Sequence, residues 1–179
     1  MGLVHIYCGD GKGKTSAACG LAVRMAGRGN SVVIVRFLKT DDSGEVEILK
    51  HLPKVHLIPC EKEFGFVFRM DDETKIKAAE FNTGLFQKAV KTAIEQSVQS
   101  KDAPCLLILD EIMAAVNYNM VPEEQVLAFL KERPANLEVV LTGRNPSEQM
   151  QSVADYISEI KKIRHPFESG ISARIGIEY

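Results

Sequence analysis

Near the start of the chain, Cys8-Gly9-Asp10-Gly11-Lys12-Gly13-Lys14-Thr15 combines glycines, lysines and a hydroxyl in a spacing that suits phosphate. Glycines let backbone N–H groups turn toward an anion, and a helix N-terminus adds partial positive charge. Lys14 supplies a point charge for phosphate oxygens, and Thr15 places a hydroxyl for Mg²⁺ or Mn²⁺. Gly9, Asp10, Gly11, Lys12, Gly13, Lys14, Thr15 and Ser16 are therefore candidate ligands of ATP. The run departs from the common Gly-x4-Gly-Lys-[Ser/Thr] spacing at its first position, which is Cys8. Further along, Asp110-Glu111 follows the apolar run Leu106-Leu107-Ile108-Leu109. A carboxylate there, combined with a phosphate loop, is placed to hold Mg²⁺ directly or through water. Its alternative is a carboxylate that caps the next helix. Arg144, in Thr142-Gly143-Arg144-Asn145, offers a planar fork for phosphate, or is a surface arginine following a strand.

These groups can meet only if the intervening elements bring them to one edge. Leu3-Val4-His5-Ile6-Tyr7 reads as a strand before the loop, and Ser16 to Ala22 as a helix after it. Val32 to Leu38, Val55 to Pro59, Leu106 to Leu109 and Leu137 to Leu141 read as further strands. The stretch from about Glu73 to Gln99 carries Ala78, Phe81, Leu85, Ala89, Ile94 and Val98 at near-helical spacing, and Glu123 to Glu132 reads as another helix. Near-continuous apolar strands alternating with helices predict a parallel sheet covered on both faces. In such sheets ligands bind beyond the carboxyl ends of the strands, where every motif above falls.

With 179 residues the chain has room for one well-buried core, so one domain over 1–179 is expected. A net charge of −2 gives no global attraction to nucleic acid. No apolar stretch approaches membrane-spanning length and no signal peptide precedes the first strand, so a cytoplasmic protein without membrane contact is expected. The four cysteines, Cys8, Cys19, Cys60 and Cys105, lack metal-ligand spacing and read as reduced packing residues. The segments Asp41 to Glu45 and Arg69 to Asp72 read as solvated turns.

Taken in order, Gly9 to Thr15, Gly65-Phe66-Val67-Phe68, Leu109-Asp110-Glu111, Leu141-Thr142-Gly143-Arg144 and the tail from His165-Pro166-Phe167-Glu168-Ser169-Gly170 to Gly176-Ile177-Glu178-Tyr179 carry a resemblance. Together they resemble the phosphate-loop ATP:corrinoid adenosyltransferases, from Leu3 to Tyr179. Cys8 fits, because that family lacks the first glycine of the common loop. The resemblance implies a single-domain P-loop NTPase-like (RecA-like) α/β fold, with a mostly parallel sheet and helices on both faces.

It also implies the chemistry. A Co(I) corrinoid attacks the 5′ carbon of ATP, a Co–C bond forms, and triphosphate leaves, with the nucleotide reversed in the loop. Lys12, Lys14 and the loop amides would hold the triphosphate, with Lys14, Thr15 and Glu111 acting in catalysis. Thr15, Asp110 and Glu111 would hold the metal. The resemblance places Phe66 and Phe68 against the corrinoid, displacing its lower axial base; by alternation alone the same residues read as one face of a strand. The second position is commonly tryptophan, and this chain has none. A flavoprotein reductant and a homodimer are further implied. Family members usually carry an N-terminal extension covering the partner's corrinoid site; the first strand here begins at Leu3, so that cover is expected to be missing. His165 is expected to shape the nucleotide site. Two other functions fit the loop alone: a conventional P-loop NTPase or small-molecule kinase releasing ADP, and a non-catalytic ATP-binding regulator.

Overall fold

Two stretches of the chain are buried at every position, and both become interior strands. The computed structural model describes residues 1–101 and 103–178. Tyr179, the last residue of the tail motif, lies outside them. The described strands are β1 (Val4–Cys8), β2 (Val32–Arg36), β3 (Val55–Leu57), β4 (Cys105–Asp110), β5 (Leu137–Thr142) and β6 (Tyr156–Glu159). They form one six-stranded sheet in the order β3-β2-β4-β5-β1-β6. Every pairing is parallel, which sharpens the expectation of a mostly parallel sheet.

Side chains alternate between two cores, as the strand period of two requires. Val33, Val35, Leu107, Leu109, Val139 and Leu141 face one core; Val32, Ile34, Leu106, Ile108 and Val140 face the other. The first face is covered by α3 (Asp72–Gln99), α4 (Ile112–Asn117), α5 (Glu123–Glu132) and α6 (Glu148–Ser152). The second is covered by α1 (Lys14–Ala26) and α2 (Gly44–Leu49). Helix α1 lies across β1, β5 and β4, which carries its N-terminus from the phosphate loop toward the end of β4.

Three elements differ from the sequence expectation. The stretch Asp41 to Glu45, read as solvated turns, runs into α2, whose Val46 and Leu49 are buried. Strand β6 carries no apolar alternation, because it pairs only with β1 at the sheet edge and all its residues are exposed. Residues 64–68 form no strand. Gly65 adopts a left-handed backbone (φ 74°), and Val67–Arg69 forms a short 3-10 turn with the Arg69 N–H donating to the Phe66 carbonyl.

Arg36 ends β2 as a buried cation. Its guanidinium donates to Ser43 Oγ at 2.6 Å and Asp41 Oδ1 at 2.6 Å, and the other Asp41 oxygen accepts the Cys60 N–H at 2.8 Å. One side chain thus ties the loop after β2 to the segment after β3. Arg36→Met is expected to destabilise the fold by about 2 kcal/mol, below the usual cost of breaking a buried pair because Asp41 reaches water. Urea unfolding measures this, and an unchanged midpoint would show that the loop holds without the clamp.

Candidate active site

The phosphate loop follows β1 and is shaped by the segment that follows β6. The Gly11 N–H donates to the Ile160 carbonyl at 2.8 Å, and the Lys162 N–H donates to Asp10 Oδ1 at 2.9 Å. A Cβ at Gly11 would come within 2.7 Å of that same Ile160 oxygen, so a side chain there would push the loop off its support. Gly13 has φ 118° and open space around it, so its backbone rather than a neighbour demands glycine. The helix begins immediately after, at Lys14, two residues before the expected Ser16.

Lys14 is buried, and its Nζ donates to the Gly11 carbonyl at 2.9 Å. Burial is the main force lowering its pKa; Glu111 opposes that shift, while Arg144 and Lys39 add to it. An ammonium held this way, inside the curve of the loop, is poised for an anion that would restore its lost solvation. Thr15 points away from the loop toward β4. Its hydroxyl donates to Asp110 Oδ1 at 2.9 Å. Asp110 is almost fully buried and also accepts the Thr142 hydroxyl at 2.6 Å. The same Thr142 oxygen accepts the Glu111 N–H at 2.9 Å. Strand β5, which separates the loop strand from β4, therefore fixes both carboxylate residues through one threonine. Glu111 has φ 61°, a left-handed backbone that a non-glycine residue adopts at a cost of order 1 kcal/mol. That turn keeps the Glu111 carboxylate beside the site while α4 starts behind it.

The structure brings together Asp10 to Ser16, Glu111 and Arg144 around one cleft of about 600 Å³, with His165 at its wall. Gly9 lies just upstream, and Asp110 beneath the Thr15 hydroxyl. A second cavity of about 380 Å³ adjoins it and shares Lys39, Glu45 and Glu178 with it. Phe64, Phe66, Met70 and Phe81 give this second space an apolar side, among charged residues that include Arg36, Lys62 and Glu63. Phe66 and Phe68 are 67% and 73% exposed and stack on each other with ring centroids 5.4 Å apart. The Arg69 guanidinium lies over both rings. Phe66 at the wall of this cavity, with Phe68 stacked on it in solvent, forms a ready-made apolar contact for a flat substrate.

Three site residues escaped the sequence reading. Lys39 donates from Nζ to Asp110 Oδ2 at 2.7 Å and to Thr15 Oγ1 at 3.0 Å, and lies 3.9 Å from Glu111. Its only signal is its position just past the carboxyl end of β2. Thr142 was visible within a motif, but not as the support of two carboxylates. Glu178, in the tail, accepts Lys12 Nζ at 3.0 Å and the Arg174 guanidinium at 3.1 Å. Arg174 first, and Lys12 second, pull its carboxyl down to about 2. Because that value lies below the ordinary one, the contact persists through mild acid and loosens only as pH falls toward 2. The Cys19 and Cys105 thiols are pushed up to about 11 by burial, in keeping with a packing role.

A solved structure of EssC (ATPases 2 and 3) from Geobacillus thermodenitrificans aligns with 98% of this chain and 35% of that one, at a TM-score of 0.53 and 15% identity. That likeness carries the fold alone. Corrinoid adenosyltransferase from Escherichia coli (strain K12) is 32% identical, over 99% of this chain and 86% of the relative. Corrinoid adenosyltransferase CobA from Salmonella typhimurium is 33% identical over the same shares. The family description ATP:corrinoid adenosyltransferase BtuR/CobO/CobP matches residues 1–179. The chain belongs to the ATP:corrinoid adenosyltransferase family.

Proposed function

We propose that this protein transfers the 5′-deoxyadenosyl group of ATP to a Co(I) corrinoid and releases inorganic triphosphate. The observation that carries the reading is the pair of adjoining cavities, one lined by the glycine- and lysine-rich loop and one with an aromatic side, with a common wall. An NTPase needs only the first. A transferase joining a nucleotide to a large apolar ring needs both, with the reacting carbon at the boundary.

The lone pair of the reduced cobalt forms the bond to C5′, the C5′–O5′ bond breaks, and its electrons leave on the triphosphate. The nucleophile needs no deprotonation, so the protein supplies no general base. Lys14, Lys12 and the loop N–H groups bind the triphosphate and stabilise the charge that grows on O5′. Arg144, at the rim of the cleft, adds a planar donor for phosphate. Phe66 and Phe68 hold the corrin face and exclude water, which sets the line of attack.

Oxygen donors from Thr15, Asp110 and Glu111 suit a hard cation, and two carboxylates beside a phosphate cleft are the usual protein share of a Mg²⁺ site. Mg²⁺ held there would neutralise triphosphate oxygens. Glu111→Gln is expected to lower turnover about tenfold and raise the Mg²⁺ concentration needed for half-maximal rate, without loss of melting temperature. A large fall in melting temperature would assign Glu111 to structure instead. The reading extends to a cytoplasmic homodimer served by a flavoprotein reductant, features shared with the family it resembles.

The test is incubation with MgATP and chemically reduced cobalamin. Loss of the Co(I) spectrum together with release of triphosphate supports the reading. ADP and phosphate would favour an ordinary NTPase or kinase, and ATP binding without turnover a regulator.

A further inference from the structure

We infer that Lys39 is an exchangeable counter-cation: its ammonium neutralises Asp110 before nucleotide binds, then moves onto the triphosphate when a divalent cation takes the Thr15–Asp110 donors. The inference rests on the adenosyl-transfer reading and its metal site. Lys39 Nζ lies within hydrogen-bond reach of Thr15 and Asp110, and 3.9 Å from Glu111. Those three residues are the oxygen donors assigned to Mg²⁺. An ammonium and a divalent cation cannot share donors at such distances, because two positive charges would sit in direct contact. One must give way.

Lys39 is built to move. Its side chain is a third exposed, on a flexible methylene stem, whereas Asp110 is buried and bonded to two hydroxyls. It also lines both cavities, so the arc of its ammonium crosses the wall between the phosphate cleft and the aromatic space. The C5′–O5′ bond must lie at that wall if the triphosphate occupies one side and the corrinoid the other. A displaced ammonium therefore arrives beside the oxygen that takes up the electron pair. Asp110 is never left unpaired: lysine covers it in the empty site and the metal in the loaded one. Leaving a buried carboxylate bare would be costly, which gives the exchange its driving force.

Two equilibrium measurements test this without turnover. Mn²⁺ alone is titrated into the nucleotide-free protein and free Mn²⁺ is read by electron paramagnetic resonance. Lys39→Met is expected to bind Mn²⁺ about tenfold more tightly than the wild type, because its competitor is gone. Separately, ATP is titrated at a Mn²⁺ concentration that saturates the metal site of both proteins, where Lys39→Met is expected to lose about tenfold in affinity through the missing charge on the triphosphate. Equal Mn²⁺ affinity overturns the exchange, and unchanged ATP affinity at saturating Mn²⁺ overturns the transfer to triphosphate. Adding Asp110→Asn to Lys39→Met should abolish the gained Mn²⁺ binding; if it survives, the metal lies elsewhere and the metal assignment itself fails. Lys39→Gln, which keeps a donor for Asp110, reports the same quantities should Lys39→Met not fold.

Discussion

Replacing Lys14 by alanine is expected to weaken ATP binding by roughly a hundredfold, the loss of two charge-assisted hydrogen bonds to phosphate. The thermal midpoint should barely change. In the nucleotide-free protein the ammonium is buried against one backbone carbonyl, and burial lowers its pKa. A lysine shifted downward is a burden on the fold at neutral pH, where both folded and unfolded states are charged; that burden lifts only as pH rises through the lowered value. Removing the charge therefore relieves the native state while emptying the cradle of its chief cation. Calorimetric titration with ATP, beside a thermal melt, checks both halves. Near-normal affinity would overturn the assignment of the loop, and collapse of the fold would show that Lys14 supports the loop from within.

Truncating Phe68 is expected to divide the two substrates. Phe66 and Phe68 pack on each other and on Arg69, in solvent, so Phe68→Ala should leave both the melt and ATP affinity at wild-type values. Burying one phenylalanine face against an apolar ring contributes about 2 kcal/mol, so the specific rate with limiting corrinoid should fall roughly thirtyfold. A loss seen with Co(II) corrinoid and a protein reductant, but much smaller with pre-reduced Co(I), assigns the ring to shaping the cobalt coordination. Equal losses with both assign it to plain adhesion. No loss with either would remove the aromatics from the corrinoid site.

The sheet was largely legible because its interior strands are continuous apolar runs, and only burial on both faces selects for that. The phosphate loop and Asp110-Glu111 were legible for the complementary reason that polar groups at strand ends have few structural uses. What escaped lies at edges and across long sequence separations. Strand β6 is exposed and mixed in composition, so no periodicity marks it, yet its continuation supports Gly11 and Asp10. Glu178 meets Lys12 from the far end of the chain, a pairing no local pattern encodes. Lys39 is a single lysine after a strand, and only the packing of β2 beside β4 turns it toward Asp110. The alternation of the aromatic segment reads as one face of a strand, and the structure has none there, because alternation alone cannot see the turn at Gly65.

The left-handed backbone at Glu111 sets a direction for anyone trying to harden this protein. Glycine is the residue that conformation favours, so a screen scored only on heat resistance should enrich Glu111→Gly and discard the carboxylate with it. Under the proposed metal-holding role, the carboxylate is kept at the expense of the backbone that carries it. A library that holds residue 111 fixed, and varies the exposed positions of α3 instead, would gain resistance without eroding the site.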